Sequence, residues 1–146
     1  SSSVEIEVNI SIFKQITLDK YCQIPCQKPP IEEIDYTSID VKVINSYVIA
    51  TPKIVANEGQ ILSGFKLILH GVLKVIVEYT ADIDDQAVHS AHYDIPFSSF
   101  IILPPDYKMG DKVEVSAVIE SADTMSVGPK EIFINAAILL VANIPQ

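Results

Sequence analysis

The chain has no tryptophan and no arginine, only two cysteines and only five glycines. Each shortage excludes something. Arginine is the usual bidentate reader of phosphate and guanine, and without it every cationic side chain is one of ten lysines. These face 19 acids, a net charge of −9. Binding by phosphate neutralisation needs clustered cations, so the composition speaks against nucleic acid as a partner. The absence of tryptophan, with no evident platform among six tyrosines and five phenylalanines, makes a glycan- or peptidoglycan-binding module the weakest of the readings considered. Two cysteines in 146 residues cannot form a disulfide scaffold. Long apolar runs are missing too. The most apolar stretch, residues 132–144, is interrupted by Asn135 and Asn143 and falls short of the roughly 18 residues a membrane helix needs. Neither membrane nor cofactor is expected as a partner. Residues 1–20 show no basic n-region and no apolar h-region of a secretory signal, although the sequence starts at Ser1 rather than Met.

What is present is β-branched. Isoleucine and valine total 38, against eight leucines, and such side chains fit a pleated surface better than a helix. Apolar and polar residues alternate through Val4-Glu5-Ile6-Glu7-Val8-Asn9-Ile10, then through Ile39-Asp40-Val41-Lys42-Val43, and again over residues 113–119. Period two is the mark of a half-buried strand. From Ile61 to Tyr79 the apolar parity survives Gly71, which implies one long strand bent there or two in series. Turn chemistry punctuates the chain at residues 25–30, 51–52, 57–59, 82–85, 104–106 and 128–129. These breaks predict about eight to ten strands in one all-β sandwich or flattened barrel spanning residues 1–146. The single helical candidate is one turn at residues 30–34, where Pro30 suits a first turn and Glu32 and Glu33 suit its dipole.

The search for chemistry comes up empty. His89 and His92 are three apart, which in a strand places them on opposite faces, and no zinc-type spacing surrounds them. Asp82, Asp84 and Asp85 lack the glycine and distal glutamate of a calcium loop. No nucleophile elbow, phosphate loop or dinucleotide fingerprint occurs, and Ser98-Ser99 lies near His92 in sequence with nothing to orient the pair. Catalytic, cofactor and metal residues are therefore expected to be none, and the chain is expected not to be an enzyme. Cys22 and Cys26, if extended, have Cα atoms about 13 Å apart, whereas a disulfide needs about 7 Å. They are either reduced packing residues or a cross-link between subunits. Val4, Ile6, Val8 and Ile10 form the other candidate site, an assembly strand that pairs either with its own domain or with a neighbour.

Several strings resemble one family: Gln27-Lys28-Pro29-Pro30-Ile31-Glu32-Glu33-Ile34, residues 48–52, Glu58-Gly59-Gln60-Ile61-Leu62-Ser63-Gly64-Phe65-Lys66-Leu67, Ser90-Ala91-His92-Tyr93, Ile95-Pro96-Phe97-Ser98-Ser99-Phe100-Ile101, and the terminal Ala137-Ile138-Leu139-Leu140-Val141-Ala142. They are similar to the SPOCS domain of bacterial endospore envelope proteins. The resemblance implies a structural protein made in the mother cell and placed in the coat or exosporium, with no catalytic residues to supply. Its expected role is a building block that self-assembles through strand edges. The alternative is a non-polymerising adaptor for another coat morphogenesis protein. Expected partners are copies of itself and other spore envelope proteins.

Overall fold

A computed structural model describes residues 9–51 and 64–145. Six strands account for most of them: β1 (Asn9–Gln23), β2 (Ile31–Ala50), β3 (Phe65–Ala81), β4 (Val88–Ile102), β5 (Glu114–Gly128) and β6 (Glu131–Pro145). They form two three-stranded antiparallel sheets, ordered β1-β6-β5 and β2-β3-β4. The all-β expectation holds; the expected eight to ten strands are not confirmed, six being found among the described residues. Most of the expected breaks are real. The strands between them run 15 to 20 residues, far beyond the usual five or six.

The two central strands build the core. Along β6 every even position from Ile132 to Ile144 is buried, and along β3 every odd position from Leu67 to Ala81 is buried. One apolar cluster draws on both sheets and is flanked by half-buried residues of β1, β2 and β5, among them Ile10, Ile16, Val41 and Val115. The sheets therefore cover each other as a sandwich does, with inward apolar and outward polar positions alternating along each strand. Ile10 lies opposite Ile144 in β1 and packs on this core, whereas Val4, Ile6 and Val8 lie outside the described residues.

β3 passes through Gly71 as one strand. Phe97 of β4 is its direct cross-strand partner, and its ring lies over the glycine where a Cβ would otherwise stand. The Lys42 carbonyl would be 3.0 Å from that same Cβ. On the other side β2 bulges between Val43 and Asn45, next to Gly71.

The helical turn expected at residues 30–34 is absent; Ile31 already belongs to β2. A bulge between Ile31 and Glu33 and another between Ile34 and Tyr36 insert extra residues. Ile31 and Ile34 then both turn toward the core although they are three apart, a spacing that mimics a helix in sequence. The Ile31 N–H donates to the Pro129 carbonyl at 2.7 Å, and Asp82 N–H donates to the Pro30 carbonyl at 2.9 Å. These partners bind the segment as strand.

Replacing Gly71 by alanine should cost about 1–3 kcal/mol, the range for forcing extra atoms into a packed site. Chemical denaturation should show the loss, and pairing Gly71→Ala with Phe97→Leu should recover part of it. Full additivity of the two changes would contradict the close packing of that pair.

Candidate assembly surface at the seam of two open edges

A sandwich of two three-stranded sheets has four edge strands, and the sequence treats them in two ways. β2 carries three register shifts and β5 two, whereas β1 and β4 run without any. Bulges twist an edge away from further pairing. On the bulged side, β2 and β5 approach each other and the hydroxyls of Thr37 and Thr124 meet at 2.7 Å. On the regular side, β1 and β4 face each other with no backbone hydrogen bond between them among the described residues.

Long side chains bridge this second seam. Lys14 Nζ donates to the Phe100 carbonyl at 2.7 Å and sits 3.7 Å from the centre of the Phe100 ring. Tyr93 Oη donates to the Gln23 carbonyl at 3.0 Å, and Lys28 Nζ donates to the Ser90 carbonyl. The contacts show which backbone groups face the gap. Residues of an unbulged antiparallel strand direct N–H and C=O to alternate sides. Gln23 therefore marks the odd residues of β1 as outward, and Ser90 and Phe100 mark the even residues of β4. Pro96 is even, so the N–H it lacks belongs to the seam and not to the ladder with β3. That parity explains a proline in the middle of a 15-residue strand.

Between the bridges the seam opens into a groove of about 580 Å³, lined by residues 18–23 of β1 and 92–96 of β4. A smaller hollow of about 240 Å³ marks its other end, at residues 12–14 and 100–102. Exposed aromatics stand at both ends: Phe13 (62% exposed) and Phe100 at one, Tyr21 (63%) at the other. Lys14 and Lys20 share the core-facing parity of β1 with Ile12, Ile16 and Leu18. Cations at inward positions are a device by which edges are protected.

Cys22 is buried at 7% exposure on the core side of the groove, and Cys26 is exposed in the turn that follows; both are free thiols. Burial pushes the Cys22 thiol up, with Lys20 pulling partly back. The two candidate cross-link residues thus occupy different environments, and only Cys26 is open to a partner. Burial, together with Cys22 and Tyr79, pushes Tyr93 up to about 12.

The histidines separate as their spacing implies. His89 stacks with Tyr79 at 6.0 Å, and His92 is exposed on the opposite face of β4. No group of three or more His, Cys, Asp or Glu residues converges among the described residues. Ser98 does meet a histidine, but it is His70: Nδ1 lies 2.8 Å from Ser98 Oγ, and Nε2 lies 3.5 Å from Tyr47 Oη. The register of β2, β3 and β4 aligns this row, and local sequence spacing carries no trace of it. It lies on the open outer face of its sheet, without the enclosure that makes preorganised hydrogen bonds catalytically effective.

The site and fold define a class: a two-sheet β protein with long regular edges and no enclosed reaction centre among the described residues. Residues 30–127, about two-thirds of the chain, match the family described as SipL, SPOCS domain. The chain belongs to that family, and membership marks it as a spore-associated protein. No curated protein and no solved structure matches it. The match begins in the Gln27–Ile34 string, which the fold uses to carry the chain from β1 across to β2.

Two outcomes follow. In the native protein an alkylating reagent should modify Cys26 at least tenfold faster than Cys22, because burial withholds Cys22 and disfavours its thiolate. Any disulfide link between native subunits should stop at the dimer, and Cys26→Ser alone should abolish it. Equal rates by mass spectrometry would contradict this placement. Second, a tyrosine whose folded pKa is raised favours folding below its unfolded value, near 10, and loses that contribution as pH rises toward 12. Stability should therefore fall between pH 10 and 12, and Tyr93→Phe should flatten the fall.

Proposed function

We propose that the protein is a structural component of the endospore surface, in coat, exosporium or appendage, that is made in the mother cell and assembles with copies of itself through strand edges. The observation that carries this reading is the pair of long, unbulged edges without backbone partners among the described residues, in a member of a spore family. Globular proteins ordinarily blunt such edges, and here only side chains cap them. Exposed apolar residues beside the edges, including Phe13, Tyr21, Phe100 and Ile102, add surface that a neighbour could cover. A building block of this kind needs neither catalytic residues nor a cofactor.

The second reading is an adaptor that offers the same edges to a different coat protein and does not polymerise. Size-exclusion chromatography and electron microscopy of the pure protein separate the two: ordered fibres or arrays support self-assembly, and a stable monomer supports the adaptor.

Charge should tune assembly. Nine excess negative charges per subunit repel like subunits, and salt screens that repulsion over about 8–10 Å near physiological strength. Assembly should strengthen with added salt or divalent cations, and as pH falls toward the sequence pI of about 4.6. Light scattering that responds to none of the three would mean that apolar and backbone contacts dominate.

A further inference from the structure

We propose that the seam between β1 and β4 is an acceptor for residues 1–8 of a second copy of this chain, which enter it as an added strand. The proposal rests on the self-assembly reading above and names the surface that carries it.

The acceptor is defined by backbone geometry. β1 turns its odd residues, and β4 its even residues, toward one shared gap, and neither strand carries a bulge, although Pro96 removes one of the N–H groups that β4 would present there. The other pair of edges is bulged and drawn together at Thr37 and Thr124, so it offers no comparable template. Across the gap, β1 and β4 form no ladder of their own among the described residues, and lysine and tyrosine side chains bridge them. Between those bridges lies the groove of about 580 Å³. A strand there would gain backbone partners on both sides, where addition to an ordinary edge supplies one.

The occupant is argued from residues 1–8, Ser-Ser-Ser-Val-Glu-Ile-Glu-Val. Extended, eight residues span about 26 Å, against about 30 Å along β1 from Lys14 to Gln23, so they cover most of the stretch between the Lys14 and Tyr93 bridges. Val4, Ile6 and Val8 would face inward beside Ile16, Leu18, Ile95 and Phe97, while Glu5 and Glu7 face out. The same copy is poorly placed to fill its own seam. Asn9 is already paired with Pro145 at the start of β1, and residues 1–8 contain no glycine, proline or asparagine with which to reverse direction there. A donor from one copy and an acceptor on the next is a heterologous contact, which propagates as an open filament unless a ring closes. Outward Glu5 and Glu7 would lie near Asp19 and Asp94, two groove residues of the same sign. Screening should therefore act at this contact as well as on the net charge.

The test uses the full chain, its Thr17→Pro variant, and a synthetic peptide of residues 1–8 carrying a photoreactive group at Ser2. Thr17 is odd and exposed, so proline there removes a seam-facing N–H and no ladder bond with β6. Thr17→Pro should keep the wild-type circular dichroism and lose assembly at least tenfold by sedimentation. Excess peptide should arrest assembly of the unmodified chain and cross-link within residues 11–23 and 90–102 by mass spectrometry. If the proline variant fails to fold, the cross-link map decides alone. Cross-links centred on β2 or β5, or assembly indifferent to both peptide and proline, would overturn the seam while leaving self-assembly standing. A chain that never assembles, even if the free peptide cross-links at the seam, would overturn the second copy as occupant together with the self-assembly reading. A monomer that does not capture the peptide would end both.

Discussion

The structure depends on one constraint: β3 and β6 are apolar on one full face over their whole length, and each can hide that face only against the other sheet. Burial of aliphatic side chains at about 25 cal/mol per Å² is the force available to a chain with no disulfide and few ion pairs. The two ion pairs among the described residues, Lys74–Asp94 at 3.9 Å and Lys112–Glu114 at 3.2 Å, are well exposed, and pairs of that kind contribute little. Everything else is arranged around the two central strands. Their neighbours satisfy their backbone groups and in turn become edges.

Edges are the cost of so small a sheet. With three strands per sheet, two-thirds of the strands are edges, and the molecule treats them asymmetrically. Bulges disable β2 and β5, whose meeting is sealed by threonine hydroxyls. β1 and β4 keep regular backbones and rely on Lys14, Lys28 and Tyr93 to occupy exposed carbonyls. A side chain that caps a carbonyl can swing away, whereas a bulge cannot be removed without changing the register. The second protection is reversible.

Much of this was legible in residue order. Period-two alternation in residues 39–43 and 113–119 marked half-buried strands, and those segments are β2 and the start of β5. Parity across Gly71 marked strand on both sides, as one bent strand or two in series, and the structure has one. The Gln27–Ile34 and Ser90–Tyr93 strings pointed to the family that residues 30–127 match. The failures share a cause. Pro30, Glu32 and Glu33 suit a helical turn by local preference, but this segment pairs as strand with bulges, and bulges are set by the partner strand. Residue order sets Ser98 near His92, whereas its partner is His70 across the β3–β4 ladder.

By itself the sequence determined that the chain is β, where most of its turns fall, that it carries excess negative charge, and which family it belongs to. These follow from side-chain shape, polarity and local backbone preference, all of which act over a few residues. Only the tertiary structure decided how many strands there are, which four become edges, and which two of those stay regular. It also buried Cys22 while leaving Cys26 exposed. Edge and centre are properties of strand order, and strand order is fixed by contacts between residues far apart in the chain: Lys14 reaches Phe100, and Gln23 meets Tyr93, only after both sheets have closed over one core.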